Sequence, residues 1–96
     1  MVKIYKNVCI TGAGNGIGRA IAIAMSNQGY NVVCADIDLK LAKDTLDLIL
    51  NKQGSGIALE TDVTNTFDIK NMINKTVEEF GSIDILVNNA GVTRTS

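Results

Sequence analysis

The chain has 96 residues, a net charge of -1 and a pI near 5.2, with no histidine, proline or tryptophan. One modest domain over residues 1-96 is expected, because a chain of this length buries between ~60% and ~70% of its unfolded surface. The missing histidines exclude a Ser-His-Asp or Cys-His arrangement and any histidine-ligated metal. Two cysteines cannot complete a four-thiolate zinc site, so no metal is expected, and the balanced charge gives no footprint for nucleic acid.

The N-terminus opens on Met1-Val2-Lys3-Ile4-Tyr5-Lys6. The apolar run after it, Val8-Cys9-Ile10, is too short for a signal-peptide core, and no stretch approaches the ~18 apolar residues of a membrane helix. Asn7 to Thr11 reads as a buried strand ending in glycines. Ile17, Ala20, Ile21, Ala24, Met25 and Gln28 recur at helical spacing, and Gly29 marks the helix end. Asn31 to Asp36 is a second buried strand. Asp38 to Lys52 is helical, with Leu39, Ala42, Leu46 and Ile49 on one face, and Gly54-Ser55-Gly56 breaks it. Ile57 to Glu60 is a third strand. Asn65 is placed to cap a third helix, with Asp68 favouring its N-terminus and Ile69, Met72, Ile73, Thr76 and Phe80 as its apolar face. Gly81 ends that helix, Ile83 to Val87 is a fourth strand, and Asn88-Asn89-Ala90-Gly91 is a turn. Cys9 and Cys34 sit inside strands and read as buried thiols in a reducing, cytoplasmic setting.

Strands alternating with helices pair in parallel, so an α/β doubly wound sheet of four strands and three helices is expected. Such sheets bind ligands at the C-terminal ends of their strands. There Thr11-Gly12-Ala13-Gly14-Asn15-Gly16-Ile17-Gly18 joins the first strand to the first helix. A phosphate at that point meets backbone N–H groups and the positive end of the helix dipole, and side chains would block it. Gly12 allows the tight turn, Gly16 the approach to a pyrophosphate, and Gly18 close packing of the helix. Asp36 ends the second strand, in the window about 20 residues on where an acid accepts both adenosine ribose hydroxyls and repels a 2'-phosphate. A plain strand–helix turn and a solvated strand-end aspartate are the bland alternatives. Gly12-Ala13-Gly14-Asn15-Gly16 also fits the G-x-G-x-G loop of S-adenosylmethionine-dependent methyltransferases.

The whole chain resembles the N-terminal part of the short-chain dehydrogenase/reductase family. Thr11-Gly12-x-x-x-Gly16-Ile17-Gly18 matches its T-G-x-x-x-G-x-G cofactor loop. Asp62-Val63 resembles the pair placed against the adenine ring, and Asn88-Asn89-Ala90-Gly91 matches its N-N-A-G turn. The resemblance implies a Rossmann-type sheet of order 3-2-1-4, truncated relative to the family, and a dinucleotide-binding domain incomplete at its C-terminus. It implies a cofactor site formed by Gly12, Gly14, Asn15, Gly16, Ile17, Gly18, Asp36, Ile37, Asp62, Val63, Asn89, Ala90 and Gly91. Gly91-Val92-Thr93-Arg94 is reminiscent of 3-oxoacyl-carrier-protein and acetoacetyl-CoA reductases. Family members that use NADP tend to carry a basic residue in the glycine loop or after strand two. Asn15 and Ile37 stand there instead, and Arg19 is expected to face outward on the helix, so NAD is expected over NADP.

The family moves hydride between the nicotinamide and a carbonyl or alcohol, with the proton donor in a Tyr-x-x-x-Lys motif. Only Tyr5 and Tyr30 are present, followed four positions on by Cys9 and Cys34. No catalytic residue is therefore expected in this chain, and the isolated chain is expected to be inactive. The alternatives are a non-catalytic nucleotide-binding or degenerate product, and the methyltransferase-like domain. The fourth strand, left as a bare edge, invites self-association.

Overall fold

Seven elements alternate in the computed structural model, which describes residues 6–89. They are β1 (Asn7–Thr11), α1 (Gly16–Asn27), β2 (Asn31–Asp36), α2 (Leu39–Asn51), β3 (Ser55–Glu60), α3 (Thr66–Phe80) and β4 (Ile85–Asn88). The four strands form one sheet in the order β3-β2-β1-β4, with every pairing parallel. All C-terminal strand ends therefore lie on one edge, which collects the loops after Thr11, Asp36, Glu60 and Asn88.

The strand period of two divides the core into two layers. Val8, Ile10, Val32 and Cys34 meet Ala22, Ala42 and Ile49 on the face covered by α1 and α2. Cys9, Val33 and Ala35 meet Met72 of α3 on the other face. Continuous apolar runs in β1 and β2 follow from burial on both sides. Burial pushes the Cys34 thiol up to about 12. It also raises that of Cys9, although the hydrogen bond to Thr76 opposes the shift.

The helix ends follow local chemistry. Asp38 accepts from Leu41 N–H at 3.2 Å and caps α2. Asn65 accepts from Asp68 N–H at 3.1 Å and caps α3. Gly81 closes α3 at a φ of 93°, a left-handed value that suits glycine.

Three sequence expectations shift. The buried stripe of α1 is Gly18 and Ala22, with Ile21 and Met25 packed beside them, whereas Ile17, Ala20, Ala24 and Gln28 are exposed. Glycine marks the closest approach of that helix, and a search for apolar side chains passes over it. β3 begins at Ser55, inside the expected Gly54-Ser55-Gly56 break. Gly56 pairs with Val32, and a Cβ there would lie 2.2 Å from Val32 O. The glycine is a strand residue crowded by its neighbour. β4 runs from Ile85 to Asn88, two residues later than its expected start at Ile83. The approach to it is held by Asn7, whose N–H donates to Asp84 Oδ2 at 2.8 Å while Asp84 N–H donates back to Asn7 O at 2.9 Å.

Candidate cofactor site

The glycine loop leaves β1 after Thr11, whose hydroxyl donates to Asn88 Oδ1 at 3.2 Å. Gly12 and Gly16 have φ values of 65° and 58°, so both turns need glycine. Four backbone groups of the loop have partners elsewhere in the fold. Ala13 N–H donates to Ala35 O at 3.0 Å, and Ala13 O accepts from Thr45 Oγ1 at 2.8 Å. Gly14 N–H donates to Asp36 Oδ2 at 2.8 Å. Gly12 O accepts from Asn89 Nδ2 at 3.2 Å. Contacts from β2, α2 and the end of β4 thus hold one short loop. A Cβ on Gly18 would lie 1.9 Å from Gly12 O and 2.9 Å from Asn89 Nδ2, so glycine is required there by space.

The outward side of the loop is different. Asn15 precedes α1 without a side-chain capping bond, and the first helical bond runs from Arg19 N–H to Asn15 O at 3.3 Å. The N–H groups of Gly16, Ile17 and Gly18 therefore have no helical partner. A Cβ on Gly16 would meet nothing within 4 Å, and Ile17 is 72% exposed. This is an open cradle of backbone donors at a helix N-terminus, suited to a phosphate group. The residues present fit the pyrophosphate of a dinucleotide.

Asp36 lies beside the cradle and is 9% exposed. Its Oδ2 takes the Gly14 N–H, and its Oδ1 takes Asp38 N–H at 2.9 Å. Ile37, the next residue, is exposed at the same edge. Asp62 and Val63 follow β3 and are half-buried. Asp62 Oδ1 accepts from Thr64 N–H at 2.9 Å and Thr64 Oγ1 at 2.6 Å. These bonds hold the Asp62 carboxyl below its ordinary range. Asp62 N–H donates to Asp68 Oδ2 at 3.0 Å, which ties the turn to α3. The structure thus brings Gly12, Gly14, Asn15, Gly16, Ile17, Gly18, Asp36, Ile37 and Asn89 to one edge, with Asp62 and Val63 on the loop after β3. Ala90 and Gly91 of the expected set lie outside the described residues.

Two features escape sequence reasoning. Arg19 does not simply face solvent: it is half-buried, and its Nε donates to Thr45 Oγ1 at 2.9 Å. Thr45 is fully buried and carries the link from α2 to the loop. Its only sequence signal is a threonine one position before Leu46 on the buried face of a helix. The opposite edge of the sheet has a hollow lined by Lys6, Gln28, Gly29 and Tyr30, which contains none of the expected site residues. Tyr30 sits there, at the N-terminal end of β2, with the Lys6 ammonium 5.8 Å from its ring centre.

A parallel sheet of order β3-β2-β1-β4 with a glycine cradle after β1 and an acid at the C-terminal end of β2 defines a nucleotide-binding α/β domain. The family model described as "short chain dehydrogenase" matches residues 6–96, and the chain belongs to that family. A 3-oxoacyl-[acyl-carrier-protein] reductase FabG of Staphylococcus aureus is 39% identical over 94 residues, covering 97% of this chain and 38% of the relative. The chain therefore spans well under half of that relative's length. A crystal structure of a short chain dehydrogenase from Mycobacterium avium superposes with a TM-score of 0.86 at 37% identity, covering 93% of this chain and 35% of that one. A 7α-hydroxysteroid dehydrogenase complexed with NADH and 7-oxo glycochenodeoxycholic acid superposes with a TM-score of 0.85 at 36% identity, covering 86% and 32%. Family membership displaces the methyltransferase-like alternative. No described helix is long and apolar enough to cross a membrane.

Proposed function

We propose that this chain is the NAD(H)-binding portion of an oxidoreductase that acts on a carbonyl or alcohol substrate. The observation that carries the reading is the Asp36 carboxylate. It is nearly buried, it is fixed by Gly14 and Asp38 N–H groups, and it stands beside the open helix N-terminus. The N–H groups of Gly16, Ile17 and Gly18 would take the pyrophosphate. Asp36 would accept from the adenosine ribose hydroxyls, and Asp62 with Val63 would border the adenine. Asn89, with Ala90 and Gly91, would border the cofactor ribose. The nicotinamide supplies the hydride when bound. This chain's own share is to bind and orient the adenosine half and to keep the loop rigid.

The preference for NAD follows from charge. A 2'-phosphate close to Asp36 would place like charges side by side, and at about 4 Å that costs about 4 kcal/mol at the effective dielectric of a protein surface. Asn15 and Ile37 offer no positive charge to offset it. The FabG-type relatives make a 3-oxoacyl thioester the first substrate class to test on a longer form of the protein. A cytoplasmic setting goes with this reading. The 96 residues contain no Tyr-x-x-x-Lys, so the isolated chain is expected to bind without turning over.

Fluorescence titration of the chain with NADH and NADPH tests this. NADH is expected to bind more tightly, with no consumption of NADH when acetoacetyl thioesters are added. Tighter NADPH binding would overturn the cofactor assignment, and turnover by the chain would overturn the assigned division of labour.

A further inference from the structure

Gly14 has no conformational reason to be glycine. The left-handed φ values in the loop belong to Gly12 and Gly16, and Gly14 is not among the positive-φ glycines. What excludes a side chain at position 14 is space. A Cβ there would lie 2.5 Å from Leu41 Cβ, 2.8 Å from Asp36 Oδ2 and 3.1 Å from Asp36 Cγ. Leu41 Cβ is fixed to the first turn of α2, so no change of rotamer moves it. The carboxylate is held on its far side by Asp38 N–H, so it does not swing away without losing that bond. The same missing Cβ lets the Gly14 N–H come within 2.8 Å of Asp36 Oδ2.

We propose that Gly14 is a specificity-determining residue: by leaving its side chain out, it seats the Asp36 carboxylate where that group selects a ribose diol over a 2'-phosphorylated ribose. The proposal rests on the reading of Asp36 as the ribose acceptor. A residue larger than glycine at position 14 pushes the carboxylate off its seat. It also lengthens a charge-assisted hydrogen bond of the stronger kind. Both the acceptance of the diol and the repulsion of a 2'-phosphate then weaken together. A purely structural glycine would change stability and leave the ratio of the two affinities alone.

The test is a pair of NMR titrations of the ¹⁵N-labelled chain, with adenosine 5'-monophosphate and with adenosine 2',5'-bisphosphate. The wild type is expected to prefer the monophosphate. Gly14→Ala is expected to shrink that preference about tenfold, the size expected for one charge-assisted bond. In an Asp36→Ala background the same change is expected to leave the ratio unaltered. A Gly14→Ala protein with the wild-type ratio overturns the proposal while leaving Asp36 as the ribose acceptor. If Gly14→Ala does not fold, the wild type still decides. The Gly14 amide resonance is expected to move further on saturation with the monophosphate than with its 2'-deoxy analogue, and equal movement overturns the proposal. A wild type that binds neither nucleotide removes the ribose reading, and the proposal falls with it.

Discussion

Thr45 is a fully buried hydroxyl between Ala42 and Ile49 on the inner face of α2. A threonine in a helix commonly returns its hydroxyl to the carbonyl one turn back. Here the proton goes to Ala13 O, 32 residues away in sequence, and the oxygen accepts from Arg19 Nε. One hydroxyl therefore ties α2, the glycine loop and the first turn of α1 together. Thr45→Val keeps the shape and leaves Ala13 O without its donor in a buried place. That change is expected to cost about 1–3 kcal/mol, with Thr45→Ser recovering most of it. For a domain of this size the loss corresponds to a fall in Tm of roughly 4–8 °C per kcal/mol. Thermal unfolding followed by circular dichroism measures it. Equal Tm values for wild type and Thr45→Val would show that the bond contributes nothing net.

At the scale of elements, the junction between α3 and β4 depends on Asn7. This buried residue donates from Nδ2 to Phe80 O, Ser82 O and Ser82 Oγ at 3.0–3.2 Å, and its Oδ1 accepts from Asn31 Nδ2 at 2.8 Å. Asn7→Ala strands several of these partners and is expected to destabilise by about 2–3 kcal/mol, read from urea midpoints. A loss below about 0.5 kcal/mol, the usual size for a surface change, would sink that role. The same junction explains what was legible in the sequence. Asn65, Gly29 and Gly81 announced helix ends through capping and left-handed turns, which are local chemistry. β1 and β2 were legible end to end because continuous apolar runs bury on both faces. The start of β4 was not. Ile83 packs in the α3 layer ahead of the ladder, and the Asn7–Asp84 pair that delays the strand spans 77 residues. The role of Thr45 and the contact of Gly14 with Asp36 were opaque for the same reason. Their partners, Ala13 and Asp36, are adjacent only in the folded chain, so no local period or motif encodes the contact. The glycine loop was legible because its requirements for backbone angle and exposed N–H groups are carried by one contiguous stretch.

At the scale of the whole molecule, the two faces of the sheet are unequally covered. α1 and α2 share one face, while α3 alone covers the other. Leu86 pairs in register with Cys9 on the α3 side and is 54% exposed. Ile73 and Val77 of α3 flank Thr76, which meets Cys9, and both are exposed. Among the described residues β4 has a ladder partner on one side only, β1. An apolar strip therefore runs along the edge strand of the sheet, a combination that favours edge-to-edge pairing. In the isolated chain this is expected to give self-association. Sedimentation velocity should show an apparent mass that rises with concentration. Leu86→Lys should return the chain to a monomer without loss of helical signal, because the side chain it replaces is half in water and the charge lies on the edge. A wild type that stays monomeric across a hundredfold range of concentration would show that the strip is harmless. A Leu86→Lys protein that still associates would move the contact to another surface, such as the exposed Phe67 at the start of α3. The glycine cradle lies at the C-terminal end of the strands and the strip lies along the sheet's side, so association and nucleotide binding are expected to be independent. Titration with NADH at low and high protein concentration should give the same Kd.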